Sequence, residues 1–258
     1  MPATIDTHSR TPAIAVHCDR CSLQRVCLPR ELAQDALRCF DDEVERPAPI
    51  ERGAALFEAG ARVDFLFAVR SGSVRTLVLT SDGSEQTTGF YLPGEIVGLD
   101  GIAGGSHAVT AIALERTTVC RLPLGNMSEL FDTVPGLAQE MLRLAGEAIA
   151  CDQRRFLLLG QMTAEARVAS FLLDFGERLN RRGLSALRFC MPMSRHELAN
   201  YLGLAVETVS RLFSRLREQG VLEVDRREIE ILDSAALHTL VGDTEFVGMA
   251  QDRKAANA

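Results

Sequence analysis

Met193–Val224 reads MSRHELANYLGLAVETVSRLFSRLREQGVLEV, and its punctuation decides the C-terminal fold. Ser194 stands three residues before Glu197, the spacing of a capping box, in which each residue satisfies an orphan donor of the other at a helix start. The pattern predicts a short helix over Glu197–Tyr201, a turn at Gly203, and a second helix over Val206–Gln219 stopped by Gly220. Val206, Val209, Phe213 and Leu216 recur every three or four residues and define the inward face of that second helix. Glu207, Ser210 and Arg211 fall opposite. Polar groups on the first turns of such a helix are the ones that meet base edges. Arginine bonds guanine bidentately and glutamate accepts from the cytosine amino group, so a half-site containing G·C pairs is expected. The competing reading makes Glu207 and Arg211 an ordinary i,i+4 surface ion pair. Val221–Val224 and Glu228–Leu232 flank Asp225–Arg226–Arg227 as a hairpin wing suited to phosphate. Arg195 and His196 are further candidate phosphate contacts.

Working outward, Thr163–Asn180 reads as an amphipathic helix and Leu187–Met191 as a short strand. Arg154, Arg155, Arg167, Arg178, Arg181, Arg182 and Arg188 outnumber Glu165, Asp174 and Glu177, a local basicity compatible with DNA despite the net charge of −7. Before them a long helix is predicted from Pro135 to about Leu159, proline suiting a first helical turn. Its apolar seam runs through Leu137, Met141, Leu144, Ala145, Ala148, Ile149, Phe156 and Leu159, long enough for a partner helix. Asp152 lies on that seam. Either it points to solvent at the rim, or two copies face each other across a dimer and repel, a device that weakens the dimer until something else stabilises it. Arg154 and Arg155 would partly screen that repulsion.

From Ile50 to Leu124 the pattern changes to short apolar runs broken by glycine: ALFEAG, FLFAVRSG, VRTLVLTSDG, QTTGFYLPG, AVTAIALE and TTVCRLP. Such runs with regular turn signals predict an antiparallel double-sheet roll. Asn126–Phe131 follows as a short helix. Upstream, Glu31–Phe40 reads as a helix with Leu32, Ala36 and Leu37 on one face, and Cys39 as a small buried hydrophobe.

His17–Pro29, HCDRCSLQRVCLP, sets Cys18, Cys21 and Cys27 close together, and Cys120 in the last strand of the roll is the natural fourth thiol. Thiolates crowd in this way to share a metal or cluster, to form disulfides, or to run redox chemistry. Seven cysteines in all, an odd number, argue against a disulfide framework. No apolar run reaches the ~20 residues of a membrane span, and the N-terminus lacks the form of a signal peptide, so a cytoplasmic protein is expected. Hydrophobic content of 47% and charged content of 24% suit a soluble globular chain. His107 is the only histidine of the roll, which speaks against a metalloenzyme barrel, and no enzyme is expected. Ile96–Glu115 contains neither Arg nor Lys, so a cyclic nucleotide phosphate would find no cation there. A zinc site, a thiol switch or a small-molecule ligand stays open beside an iron–sulfur cluster.

The motifs CDRCSLQRVCLP, LPGEIVGLDGIAGG, ALERTTVCRLP and NYLGLAVETVSRLFSRL together closely resemble the CRP/FNR superfamily of bacterial transcription regulators, and within it the fumarate-and-nitrate-reduction branch. The resemblance spans Cys18 to about Leu240. It implies an α+β chain: an N-terminal antiparallel β-roll (a cyclic-nucleotide-binding-like jelly roll), a long dimerisation helix, and a C-terminal winged helix-turn-helix. The expected divisions are a disordered segment 1–16, a sensor 17–134, the dimerisation helix 135–160, the DNA-binding domain 161–242 and a flexible tail 243–258. The resemblance further implies an oxygen-labile [4Fe-4S] cluster on Cys18, Cys21, Cys27 and Cys120. It implies an E-x-x-S-R reading motif at Glu207, Ser210 and Arg211 for a TTGAT-type inverted repeat. A homodimer is implied through Ile149, Asp152 and Phe156, to which the apolar seam adds Met141 and Ala145, and contacts with RNA polymerase are implied as well, including the Ser81–Gln86 loop. Activation of anaerobic genes while the cluster is intact is the function it implies.

Overall fold

The computed structural model describes residues 16–125 and 127–242, so all but Val16 of the segment 1–16 expected to be disordered, and the tail from Asp243, lie outside the described residues. The chain divides into two compact units, Met1–Cys151 and Asp152–Ala258.

In the first unit, helix α1 (Gln34–Glu43) precedes seven strands: β1 (Ala55–Phe57), β2 (Phe65–Ser71), β3 (Val74–Leu79), β4 (Glu85–Tyr91), β5 (Ile96–Val97), β6 (Thr110–Ala113) and β7 (Thr118–Pro123). They form two antiparallel sheets, ordered β1-β6-β3-β4 and β5-β2-β7, the double-sheet roll that the glycine-broken runs predict. Pleating sorts the second sheet into two faces. Phe67, Val69 and Val97 belong to a core cluster with Phe57, Val74 and Ala111 of the first sheet. Leu66, Ala68, Ile96, Cys120 and Leu122 belong to another, shared with Leu37 and Phe40 of α1 and with Leu28, Cys18 and Cys27 of the N-terminal loop. The sheet thus has a structural face and a face that receives the cysteine loop.

Helix α2 (Met127–Thr133) and the long α3 (Leu137–Gln161) follow. The helix starts two residues later than Pro135 suggests, because Gly136 takes a left-handed φ of +87°. A helix cannot pass through that conformation, and glycine reaches it without Cβ strain. Helix α1 likewise starts at Gln34 rather than Glu31, since Leu32 bonds back to Pro29 in a preceding turn. Ala36 and Leu37 on its face are buried as predicted, as is Leu32 in the turn before it, but Cys39 is exposed and corrects the expectation of a buried thiol. Cys151 and Cys190 are exposed as well.

The second unit contains α4 (Ala164–Asn180), β8 (Arg188–Cys190), α5 (Arg195–Leu202), α6 (Val206–Glu218), β9 (Leu222–Asp225), β10 (Glu228–Ile231) and α7 (Ser234–Val241), with a sheet ordered β8-β10-β9. Thr163 caps α4 and Asp233 caps α7 through their side chains. Phe171 stacks on Phe175, which meets Phe189 at a tilt, in its core. Gly176 is required there: a Cβ would come within 2.2 Å of the Ala186 carbonyl oxygen. Much of the basic stretch is occupied internally. Arg167 donates to the carbonyls of Leu159, Met162 and Leu202, while Arg178 and Arg181 pair with Asp174 and Glu177 one turn earlier. Arg154, Arg181 and Arg188 stay exposed.

Candidate functional site

The cysteine loop is wound into consecutive turns. Cys18–Arg20 forms a 3-10 turn, Gln24 N–H donates to the Cys21 carbonyl, and Cys27 N–H donates to Leu23. Cys120 arrives independently, on β7 and directly opposite Ala68 of β2. Cys18, Cys21, Cys27 and Cys120 all line one pocket of about 620 Å³, counted to its open mouth. Its remaining wall is mostly apolar, with Leu28, Phe40, Leu66, Ile96 and Leu122, and carries Arg46 and Arg70 as cations. Among the described residues no three His, Cys, Asp or Glu side chains converge tightly enough to hold a single metal ion. The thiols ring a space rather than meet at a point.

Burial raises the pKa of Cys18, Cys27 and Cys120. It pushes the Cys27 thiol up to about 12, the hydrogen bond from Leu28 N–H opposing it and the neighbouring thiols Cys120 and Cys21 adding to it. Burial also raises Cys18, helped by Asp41, and raises Cys120 against the charges of Arg46 and Arg70. Buried thiols of this kind are poor nucleophiles and need a cation to become thiolates, unlike the low-pKa thiols of redox catalysts.

The donor set fits a four-iron cluster, whose four irons would each take one thiolate, so the four cysteine sulfurs would stand apart around it. A single zinc needs all its donors at ~2.3 Å from one point.

Asp41 and Arg46, which spacing alone does not single out, tie this loop down. Asp41 is buried and accepts the Cys18 backbone N–H at 2.8 Å, His17 Nδ1 and the Arg46 guanidinium. Burial raises the Asp41 carboxyl, but the hydrogen bonds from Cys18 and His17 and the Arg46 charge outweigh it and hold the group at about 2.

Helix α3 carries two apolar stripes. Leu137, Met141 and Leu144 pack into the core of the roll, so Met141, a candidate dimer residue, is already buried within its own chain. Leu142, Ile149 and Phe156 are 75%, 60% and 79% exposed, and with exposed Ala145 and Asp152 they form a stripe spaced three, four, three, four. Leu142 belongs to it and was missing from the sequence-derived seam. The Asp152 carboxylate is ion-paired to Arg155 at 3.2 Å, and the Arg155 guanidinium also lies over the Tyr201 ring at 5.4 Å.

In the reading module both halves of the capping box form: Ser194 accepts from Glu197 N–H, and the Glu197 carboxylate accepts from Ser194 N–H. Gly203 turns the chain at φ +63°. Val209, Phe213 and Leu216 are buried as expected, joined by Leu212. Glu207, Ser210 and Arg211 are exposed, and Glu207 and Arg211 form no ion pair among the described residues. Their side chains are therefore open to a ligand rather than paired with each other. His196 is exposed. Arg195 lies flat on Phe213, 3.4 Å from the ring centroid, and burial lowers it to about 10. In the free protein it braces α5 against α6. The wing closes in two residues, Asp225 pairing with Glu228, and Arg226 takes a left-handed φ of +55° while Arg227 bonds the Pro192 carbonyl.

A β-roll with a lined pocket and a winged helix-turn-helix, joined in sequence by one long helix, define the class of sensor-linked DNA-binding regulators. Residues 48–134 match the cyclic nucleotide-binding domain family and residues 166–240 the Crp-like helix-turn-helix domain family. The chain is 46% identical to the transcriptional activator protein FnrA of Stutzerimonas stutzeri over 88% of its length and 93% of that protein. It is 40% identical to the fumarate and nitrate reduction regulatory protein of Escherichia coli, over 90% of its length and 93% of that protein. The solved structure of FixK2 from Bradyrhizobium japonicum shares 31% identity and superposes with a TM-score of 0.70, covering 76% of this chain and 96% of that one. The chain belongs to the CRP/FNR family, in its FNR branch. No helix among the described residues is long and apolar enough to cross a membrane.

Proposed function

We propose that this protein is an oxygen-responsive, cytoplasmic transcription activator. It holds a [4Fe-4S] cluster on Cys18, Cys21, Cys27 and Cys120 and binds TTGAT-type inverted repeats as a homodimer. The single observation that carries the reading is that four thiols, three from a loop and one from a strand, line the same apolar pocket. The bound cluster would supply an oxygen-labile cross-link between that loop and β7. The residues of the chain do the rest. Cys18 and Cys27 hold the loop against the face of the roll formed by Leu66, Ala68 and Leu122. The first turns of α3 belong to the same core through Leu137 and Met141, so ordering the loop stabilises the base of that helix. Farther along, Leu142, Ala145, Ile149 and Phe156 supply an apolar dimer seam, which Asp152 weakens. In the dimer each α6 presents Glu207, Ser210 and Arg211 to a half-site, with His196 and Arg226 at phosphate. Surface contacts with RNA polymerase, the Ser81–Gln86 turn among them, complete activation. The absence of Arg and Lys from Ile96–Glu115 supports a roll that does not take a cyclic nucleotide.

The test is iron and acid-labile sulfide on protein purified without oxygen, with the visible spectrum followed as air is admitted. About four of each per chain and an absorbance that bleaches in air are expected. Zinc, or no metal, overturns the cluster reading and leaves a DNA-binding regulator of this fold.

A further inference from the structure

The thiol pocket is organised by one buried ion pair. Asp41, near the end of α1, is the long-range polar tether of the Cys18 end of the loop: it accepts the Cys18 N–H and His17 Nδ1 from 23 and 24 residues upstream, while Arg30, just past the other end, pairs with Glu147. The other backbone hydrogen bonds from Cys18 to Pro29 are local turns that wind the loop without fixing it to the body. Arg46 completes the arrangement. Its side chain is 14% exposed, Nη1 donates to the Val44 carbonyl at 3.0 Å and Nη2 donates to Asp41. The same Nη2 stands 3.8 Å from Cys18 Sγ, and the guanidinium lines the pocket shared with Cys120.

A carboxylate buried beside thiols opposes the gathering of negative charge there, since each thiolate adds to it. Arg46 cancels that charge, so the pair adds no net negative charge there, and it turns the cationic end of the pair toward Cys18 Sγ. A set of four thiolates is strongly anionic even when loaded with iron, and charge-assisted contacts to sulfur favour holding it. Lysine would keep the charge but lose the planar fork that bonds Asp41 and the Val44 carbonyl together.

We infer that Asp41 and Arg46 are positioning residues of the thiol site: Asp41 fixes the Cys18 end of the loop on α1, and Arg46 holds Asp41 in place and compensates the charge of an anionic cluster. The charge-compensating half rests on the cluster reading above; the tethering half does not.

Two measurements separate them. The first is limited trypsin digestion of the full-length, air-purified chain, followed at Arg20 and Arg25 inside the loop. Asp41→Asn and Arg46→Gln should each be cut about tenfold faster or more, the factor that corresponds to losing a hydrogen bond to a charged group, with unchanged far-ultraviolet circular dichroism. Wild-type cleavage rates in both variants overturn the tether. The second is the bleaching rate in air of anaerobically purified protein, read together with iron and sulfide content. Arg46→Gln should bleach several-fold faster than wild type and Arg46→Lys should lie between them. Equal rates in all three overturn the charge compensation. Wild-type protein without iron and sulfide defeats the cluster reading and the charge compensation with it, and the digestion still decides the tether.

Discussion

Replacing Arg155 with methionine should make the dimer weaker, and only while Asp152 is present. The Asp152 carboxylate is 72% exposed and stands 3.2 Å from Arg155 Nη2 on the same face of α3. In a dimer formed along the exposed stripe, two copies of Asp152 would lie roughly one interaxial distance apart, about 9 Å. At that separation two carboxylates repel by about 0.5 kcal/mol in bulk water and about 2 kcal/mol at an effective dielectric of about 20. The high exposure of Asp152 places the value between these, at about 1 kcal/mol, or about fivefold in the dimer dissociation constant. Arg155, one turn on, cancels part of this. If Arg155 cancels about half of it, Arg155→Met should weaken the dimer about twofold and Asp152→Ala should strengthen it about twofold, the two sharing the ~1 kcal/mol of repulsion. Adding Arg155→Met to Asp152→Ala should have no further effect. The assay is sedimentation equilibrium of the four proteins in air, at low salt and at high salt, where screening should shrink every difference. Additive effects of the two substitutions, or an Arg155→Met variant as dimeric as wild type, would refute the reasoning. The cation–π contact with Tyr201 survives in the Asp152→Ala background, so the cycle removes its contribution.

Arg211→Ala should cost about 1–3 kcal/mol per half-site of a TTGAT inverted repeat and relax selectivity at one G·C position of each half-site, read by competition with repeats altered there. Arg226→Gly relieves a left-handed backbone but removes a cation from each protomer, so binding to all sequences should fall uniformly and the salt slope should drop by about two, one per protomer, with little change in stability. Gly176→Ala puts a Cβ at 2.2 Å from the Ala186 carbonyl and should destabilise the second unit by about 1–3 kcal/mol in urea titration. Gly94→Ala combines a φ of +92° with a Cβ 2.6 Å from Val26, a β-branched residue of the cysteine loop. It should accelerate loss of the visible absorbance in air while leaving the urea midpoint of the second unit unchanged.

The reading module was legible almost residue by residue because its signals are local: a cap, a glycine, a three–four spacing. The roll was legible as alternating runs, and β5, only Ile96–Val97, is too short to register as one. The seam was harder. Two stripes of similar period overlap on α3, and sequence cannot say which one the chain itself covers, so Met141 was placed on the seam and Leu142 left off it. Cys39 was misplaced for a related reason: it sits beside Phe40 at a flank of the apolar face, where burial depends on what packs against α1. Asp41 and Arg46 read only as charges among other charges. Their role depends on the loop folding back across two dozen residues, which no periodicity records.

The two faces of the sheet β5-β2-β7 also separate what this roll must keep from what it is free to vary. Phe67, Val69 and Val97 answer to the opposite sheet, and a change there must be matched across the core. Leu66, Ala68, Ile96, Cys120 and Leu122 answer only to the loop and helices laid over them. Because pleating sends alternate residues to opposite sides, substitutions on the second face need not disturb the first. A lineage could exchange one covering segment, and the chemistry it carries, for another while the barrel underneath went on folding unchanged.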